Sequence, residues 1–126
     1  MPSTIMIVDD DEQILTLVEI LLRRQGYQVV KAPSPYVALD LLDISVPDLI
    51  LLDFMMPGIN GIELCHRIRM HPKGGKVPVV MLSAVASEEF IRESLKAGAS
   101  GHIPKSEMHR RLLHEVAQYL PAALSR

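Results

Sequence analysis

The chain has 126 residues, 48% of them hydrophobic and 22% charged, with 13 basic and 15 acidic side chains for a net charge of −2. One domain over residues 1–126, with a core of about 4–120, is the expectation, and the near-neutral balance argues against direct nucleic-acid binding or attachment to an anionic membrane. A single cysteine, Cys65, excludes an internal disulfide, and with no apolar run near ~18 residues and no signal-peptide pattern a cytoplasmic protein is expected.

From the N-terminus, short apolar runs alternate with longer amphipathic patterns. Ile5–Val8 is unbroken apolar sequence, as in a strand buried on both faces. A helix over about 11–25 should follow, with Ile14, Leu17, Val18, Leu21 and Leu22 on one face and Gly26 at its end. Gln28–Lys31 has polar ends and reads as an edge strand. Ser34 as N-cap and Pro35 at the first helical position open a second helix carrying Val37, Ala38, Leu41 and Leu42. Leu49–Leu52 is a second fully apolar run. Asn60 and Glu63 have the spacing of a capping box for a third helix, which should end near His71 and Pro72.

The loop His71–Lys76 is the most flexible internal stretch on composition. Val77–Leu82 is the fourth strand. Ser87, then Glu88 and Glu89, start a fourth helix that Gly98 closes, and its Phe90 and Ile91 fit either the core or a partner contact. Gly101–Pro104 carries a proline and reads as the other edge strand. The last helix runs over about 107–120, with Met108, Leu112, Val116 and Leu120 four residues apart; Tyr119–Arg126 fits a helix end or the start of a linker. Five βα units with right-handed crossovers make a doubly wound α/β fold around a five-stranded parallel sheet. Ligands of such sheets bind beyond the carboxyl ends of the strands.

Those ends carry the chemistry. Asp9, Asp10, Asp11 and Glu12 follow the first strand, Asp53 the third, Ser83 the fourth and Lys105 the fifth. The acidic run alone is best read as a solvated helix start, Lys105 alone as a surface lysine and Ser83 alone as a strand-end cap. Together they read differently. Carboxylates gathered on one sheet edge repel one another without a counter-cation, and an oxygen-only ligand set suits Mg²⁺. A Mg²⁺ site beside one hydroxyl and one ammonium suits phosphoryl transfer, with Asp53, isolated on the central strand, as the candidate nucleophile.

The stretches Ile7–Glu12, Leu51–Gly58 with Gly61, Met81–Ala84, and Gly98–Ala99 with Lys105 resemble the receiver domain of bacterial two-component response regulators. The resemblance covers about residues 4–120 and implies a flavodoxin-like sheet of strand order 2-1-3-4-5. It implies that Asp53 accepts a phosphoryl group from a phosphohistidine on a sensor histidine kinase or phosphotransfer protein. Asp10 directly, Asp9 largely through water, Asp53 and the carbonyl of Met55 would hold Mg²⁺. Ser83 and Lys105 would grip the phosphoryl oxygens, and His102 would turn inward with Ser83 as the switch residue. The surface of helix four, strand five and helix five would then change its preference for a downstream protein, an appended output domain or a second copy.

Three departures from the family pattern stand out. Ser106 replaces the usual proline after Lys105, so a trans Lys105–Ser106 bond is expected, with Ser106 a candidate cap of the last helix. His102 stands where tyrosine or phenylalanine is usual. Met55 and Val85, both apolar, stand at the rim of the phosphoryl site and cannot orient an attacking water, so self-dephosphorylation should be slow. Two other functions compete. A Mg²⁺-dependent aspartyl-phosphate phosphatase would need a second acid two residues after its nucleophile, where this chain has Met55. An FMN carrier would need a phosphate loop after strand one, where Asp9–Glu12 would repel the phosphate. The five histidines show no metal-ligand spacing, and Cys65 reads as a buried apolar residue.

Overall fold

The computed structural model describes residues 2–84 and 87–121. Its elements, in chain order, are β1 (Thr4–Val8), α1 (Glu12–Arg24), β2 (Gln28–Ala32), α2 (Pro35–Ile44), β3 (Leu49–Asp53), α3 (Gly61–Met70), β4 (Val79–Ser83), α4 (Glu88–Lys96) and β5 (Gly101–Pro104). A 3₁₀ turn at Lys105–Glu107 then leads into α5 (Met108–Ala117). All neighbouring strands pair in parallel, in the order β2-β1-β3-β4-β5, as expected.

The period-two geometry of the central strands sorts their side chains into two cores. Ile5, Ile7, Leu49, Leu51, Val80 and Leu82 face α1 and α5, whereas Met6, Val8, Ile50, Leu52, Val79 and Met81 face α2, α3 and α4. Every residue of β3 and β4 is buried, which is why these runs carry no polar alternation. Phe90 lies in the second core and Ile91 packs at its edge, so both serve packing. Cys65 is fully buried in the same core. No helix among the described residues is long and apolar enough to cross a membrane.

Local signals place most ends. Ser34 Oγ accepts from Val37 N–H at 3.2 Å and Ser87 Oγ from Phe90 N–H at 3.1 Å, satisfying donors the first helical turn cannot pair. Asn60 Oδ1 accepts from Glu63 N–H at 2.9 Å, but the Glu63 carboxylate turns to Arg67 at 3.0 Å, so only half of the capping box forms. After α4 the chain turns at Gly98, whose φ of 107° suits a residue without a Cβ.

Four expectations need correction. In α1 the core residues are Leu15, Val18 and Leu22, while Leu17 is 41% exposed; the apolar stripe is narrower and rotated from the five-residue face. The fourth strand begins at Val79 rather than Val77 and includes Ser83. Ser106 caps nothing: it lies inside the 3₁₀ turn, and α5 starts without a side-chain cap. The loop after α3 is tied down. Lys73 Nζ donates to the Asp43 carbonyl at 3.0 Å, Arg69 Nη1 to the Gly74 carbonyl at 2.9 Å, and His71 pairs with Asp43. The Lys105–Ser106 bond is trans, as expected.

Candidate functional site

The parallel sheet delivers its strand ends to one edge, and three of them supply charge. The acidic run after β1 divides its labour. Asp11 caps α1, accepting from Gln13 N–H at 2.9 Å, and Glu12 sits in the first turn, so these two are the solvated helix start. Asp9 continues β1, its N–H donating to the Ala32 carbonyl at 3.1 Å, and its carboxylate is completely buried. Asp10, between them, is exposed. Asp53 ends β3 with 2% exposure. Oxygens of Asp9, Asp10 and Asp53 lie within 4.8 Å of one another.

Lys105 bridges the two buried acids. Its Nζ stands 2.9 Å from Asp53 Oδ1 and 3.1 Å from Asp9 Oδ2. One ammonium among three carboxylates leaves the cluster short of positive charge. Burial raises the Asp9 pKa above its ordinary value; the Asp11 N–H on Oδ1 at 2.9 Å works the other way, and the charge of Asp53 adds to the rise. Burial also opposes the charge on Lys105, but its bond to Asp53 and the charges of Asp9 and Asp53 outweigh that and raise its pKa.

The donor set fits Mg²⁺. Asp9 Oδ2 is buried, and the contact it has is the Lys105 ammonium at 3.1 Å, which Asp53 shares. Three carboxylates with oxygen-only ligands and one solvent-facing member match a hard cation that keeps several waters. No other such cluster occurs among the described residues. His66, His109 and His114 are exposed.

The remaining predicted residues surround this centre. Ser83 is the buried last residue of β4 and stands in register with Pro104, the residue before Lys105. Met55 is 64% exposed, two residues beyond Asp53, and its N–H reaches Asp53 Oδ1 at 3.4 Å. Phe54, Met55, Met56, Pro57 and Asn60 line an open cleft of about 410 Å³ there. Val85, the other predicted rim residue, lies outside the described residues. His102 on β5 meets Phe90 edge-on at 5.4 Å between ring centroids, and Phe90 meets Phe54 edge-on at 4.7 Å. An aromatic chain therefore joins the residue after Asp53 to the predicted switch residue.

Two supporting residues had no sequence signal. Tyr36, in the first turn of α2, lies against Gly58 so closely that a Cβ there would meet its hydroxyl oxygen at 2.8 Å. Arg69 on α3 donates to the Gly98 carbonyl through Nε and Nη2 at 3.1 and 2.7 Å, fastening the end of α4 to α3. Both contacts join residues far apart in the chain, so local pattern could not announce them.

Comparison with known proteins agrees with this geometry. Residues 5–117 match the response regulator receiver domain family. The chain is 40% identical over 123 residues to the uncharacterised transcriptional regulatory protein YrkP of Bacillus subtilis, covering 94% of this chain and 52% of that protein. It is 36% identical to an uncharacterised 14.6 kDa protein of Leptolyngbya boryana, covering 91% of this chain and 88% of the other. The chain thus spans about half the length of the curated transcriptional regulators it matches. Among solved structures, the chemotaxis protein CheY4 of Vibrio cholerae superposes with a TM-score of 0.91 at 28% identity, over 95% of this chain and all of that one.

Proposed function

The chain belongs to the response regulator receiver domain family, and from that premise we propose that it is a phosphorylatable switch with Asp53 as phosphoacceptor. The observation that carries this reading is the Asp9–Lys105–Asp53 bridge at the carboxyl edge of the sheet, with Asp10 beside it. The donor is a phosphohistidine of a sensor histidine kinase or phosphotransfer protein. An oxygen of the Asp53 carboxylate forms the new bond to phosphorus, the P–N bond breaks, and the departing imidazole takes a proton. Asp9, Asp10, Asp53 and the Met55 carbonyl would hold Mg²⁺, which supplies positive charge to the phosphoryl oxygens.

Lys105 already touches the Asp53 carboxylate and is placed to follow the added charge; Ser83 is the hydroxyl partner one strand away. A phosphoryl group stabilises only the state in which both reach it, so the population shifts toward that state. His102, through Phe90, passes the change to the surface of α4, β5 and α5, which a downstream protein, an output domain of a longer chain or a second copy would read. The receiver domain occupies residues 5–117 of the chain.

Intact mass after incubation with a small phosphodonor and Mg²⁺ tests this. The wild type should gain one phosphoryl group and Asp53→Asn none. Equal gain in both, or steady turnover of the donor without accumulation, would overturn the proposal.

A further inference from the structure

The chain's sulfur atoms are unevenly guarded. Of the six described methionines, Met6, Met56, Met81 and Met108 are at most 8% exposed, whereas Met55 is 64% and Met70 73% exposed. The single thiol, Cys65, is fully buried, and burial raises its pKa, so little of it is the reactive thiolate. Among the described residues, a hydroperoxide meeting the folded protein therefore finds two thioethers. Met70 ends α3, about 13 Å along that helix from its first residue and hence remote from the strand ends. Met55 stands at the rim, with its N–H on the Asp53 carboxylate, and it lines the open cleft together with Phe54 and Asn60.

We infer that Met55 is an oxidation site through which hydroperoxides shorten the lifetime of the phosphorylated state; this rests on the reading of Asp53 as phosphoacceptor. In the chemistry, a sulfur lone pair attacks one peroxide oxygen and the O–O bond breaks. One oxygen stays on sulfur as the sulfoxide and the other leaves as water or alcohol; sulfur gives up two electrons and the peroxide is reduced. The product replaces an apolar thioether by a strong hydrogen-bond acceptor. A thioether at this rim cannot hold a water in line with phosphorus, whereas the sulfoxide oxygen can. The acceleration expected from one such bond is about two- to tenfold.

The test treats the folded protein with hydrogen peroxide and maps sulfoxides by peptide mass. Phosphoryl lifetime is then followed in treated and untreated samples of wild type, Met55→Leu and Met70→Leu. Met55 and Met70 should oxidise ahead of the four buried methionines. Treatment should shorten the lifetime in wild type and Met70→Leu, leave that of Met55→Leu at its own untreated value, and be reversed by a pair of methionine sulfoxide reductases that together reduce both sulfoxide epimers. A reduced Met55, an unchanged lifetime despite its sulfoxide, or an equal peroxide effect in Met55→Leu would overturn the inference. A wild type that takes no phosphoryl group identifies the Asp53 reading as the failure instead.

Discussion

Asp9 shows how a single residue trades stability for chemistry. Its carboxylate is fully buried, faces Asp53, and its pKa lies above the ordinary 3.8 because burial penalises the charge. The folded chain thus holds this proton more tightly than the unfolded one, so the contribution of Asp9 to stability falls as pH rises from 3.8 through the raised value. Lys105 has the same sense in a higher window: its stabilising contribution is full below 10.5 and is lost as pH climbs through its own raised pKa. Asp9→Asn keeps an acceptor for the Asp11 N–H and removes one buried charge. Its urea midpoint at pH 7 should rise, on the order of 1 kcal/mol in stability, while divalent-ion binding weakens. A lower midpoint than wild type at pH 7 would show that the Lys105 contact outweighs the cost of burial.

At the scale of elements, the join between β3 and α3 sets where Asp53 points. Gly61 opens α3 directly beneath the end of β3, and its N–H donates to the Phe54 carbonyl at 2.7 Å. A Cβ on Gly61 would stand 2.6 Å from the Asp53 carbonyl oxygen and 2.7 Å from the Phe54 Cα, both backbone atoms that cannot rotate away. Gly61→Ala should therefore cost about 1–3 kcal/mol and slow phosphorylation, because the strand end carrying Asp53 must move. Urea titration with phosphorylation kinetics checks both; wild-type values in either would mean the join yields freely.

What could be read from the sequence follows from the same distinction of scale. Unbroken apolar runs such as Leu49–Leu52, caps such as Ser34 and Ser87, and the α4 terminator Gly98 are local, so pattern sufficed. The strand order came through the family resemblance, because spacing alone leaves several parallel orders open. The exposure of Leu17 rather than Leu15 escaped because both continue an apolar series, and only packing against β1 and α5 chooses between them. Ser106 had the composition of a cap, but the 3₁₀ turn places it inside the turn rather than before it. The acids of the site were legible as strand-end residues; the Lys105 bridge between two of them is a distance that only the assembled sheet sets.

For the whole molecule, the acidic edge makes stability a reporter of occupancy. Asp9 and Asp53 are buried and, with Asp10, have one ammonium between them among the described residues, so the folded state carries electrostatic tension that a bound divalent cation would relieve. The unfolded chain scatters these residues, with Asp53 more than forty positions from Asp10, and has no comparable site. A ligand that binds only the folded state stabilises it by mass action, adding about 1.4 kcal/mol at a concentration about ten times its dissociation constant. Mg²⁺ should therefore raise the urea midpoint at constant ionic strength, which separates binding from general screening. Asp10→Asn should keep the fold, because that side chain is exposed, and lose most of the Mg²⁺ increment. Equal midpoints for the wild type with and without Mg²⁺ would mean that the Lys105 ammonium alone satisfies the acids, and the metal assignment would fall.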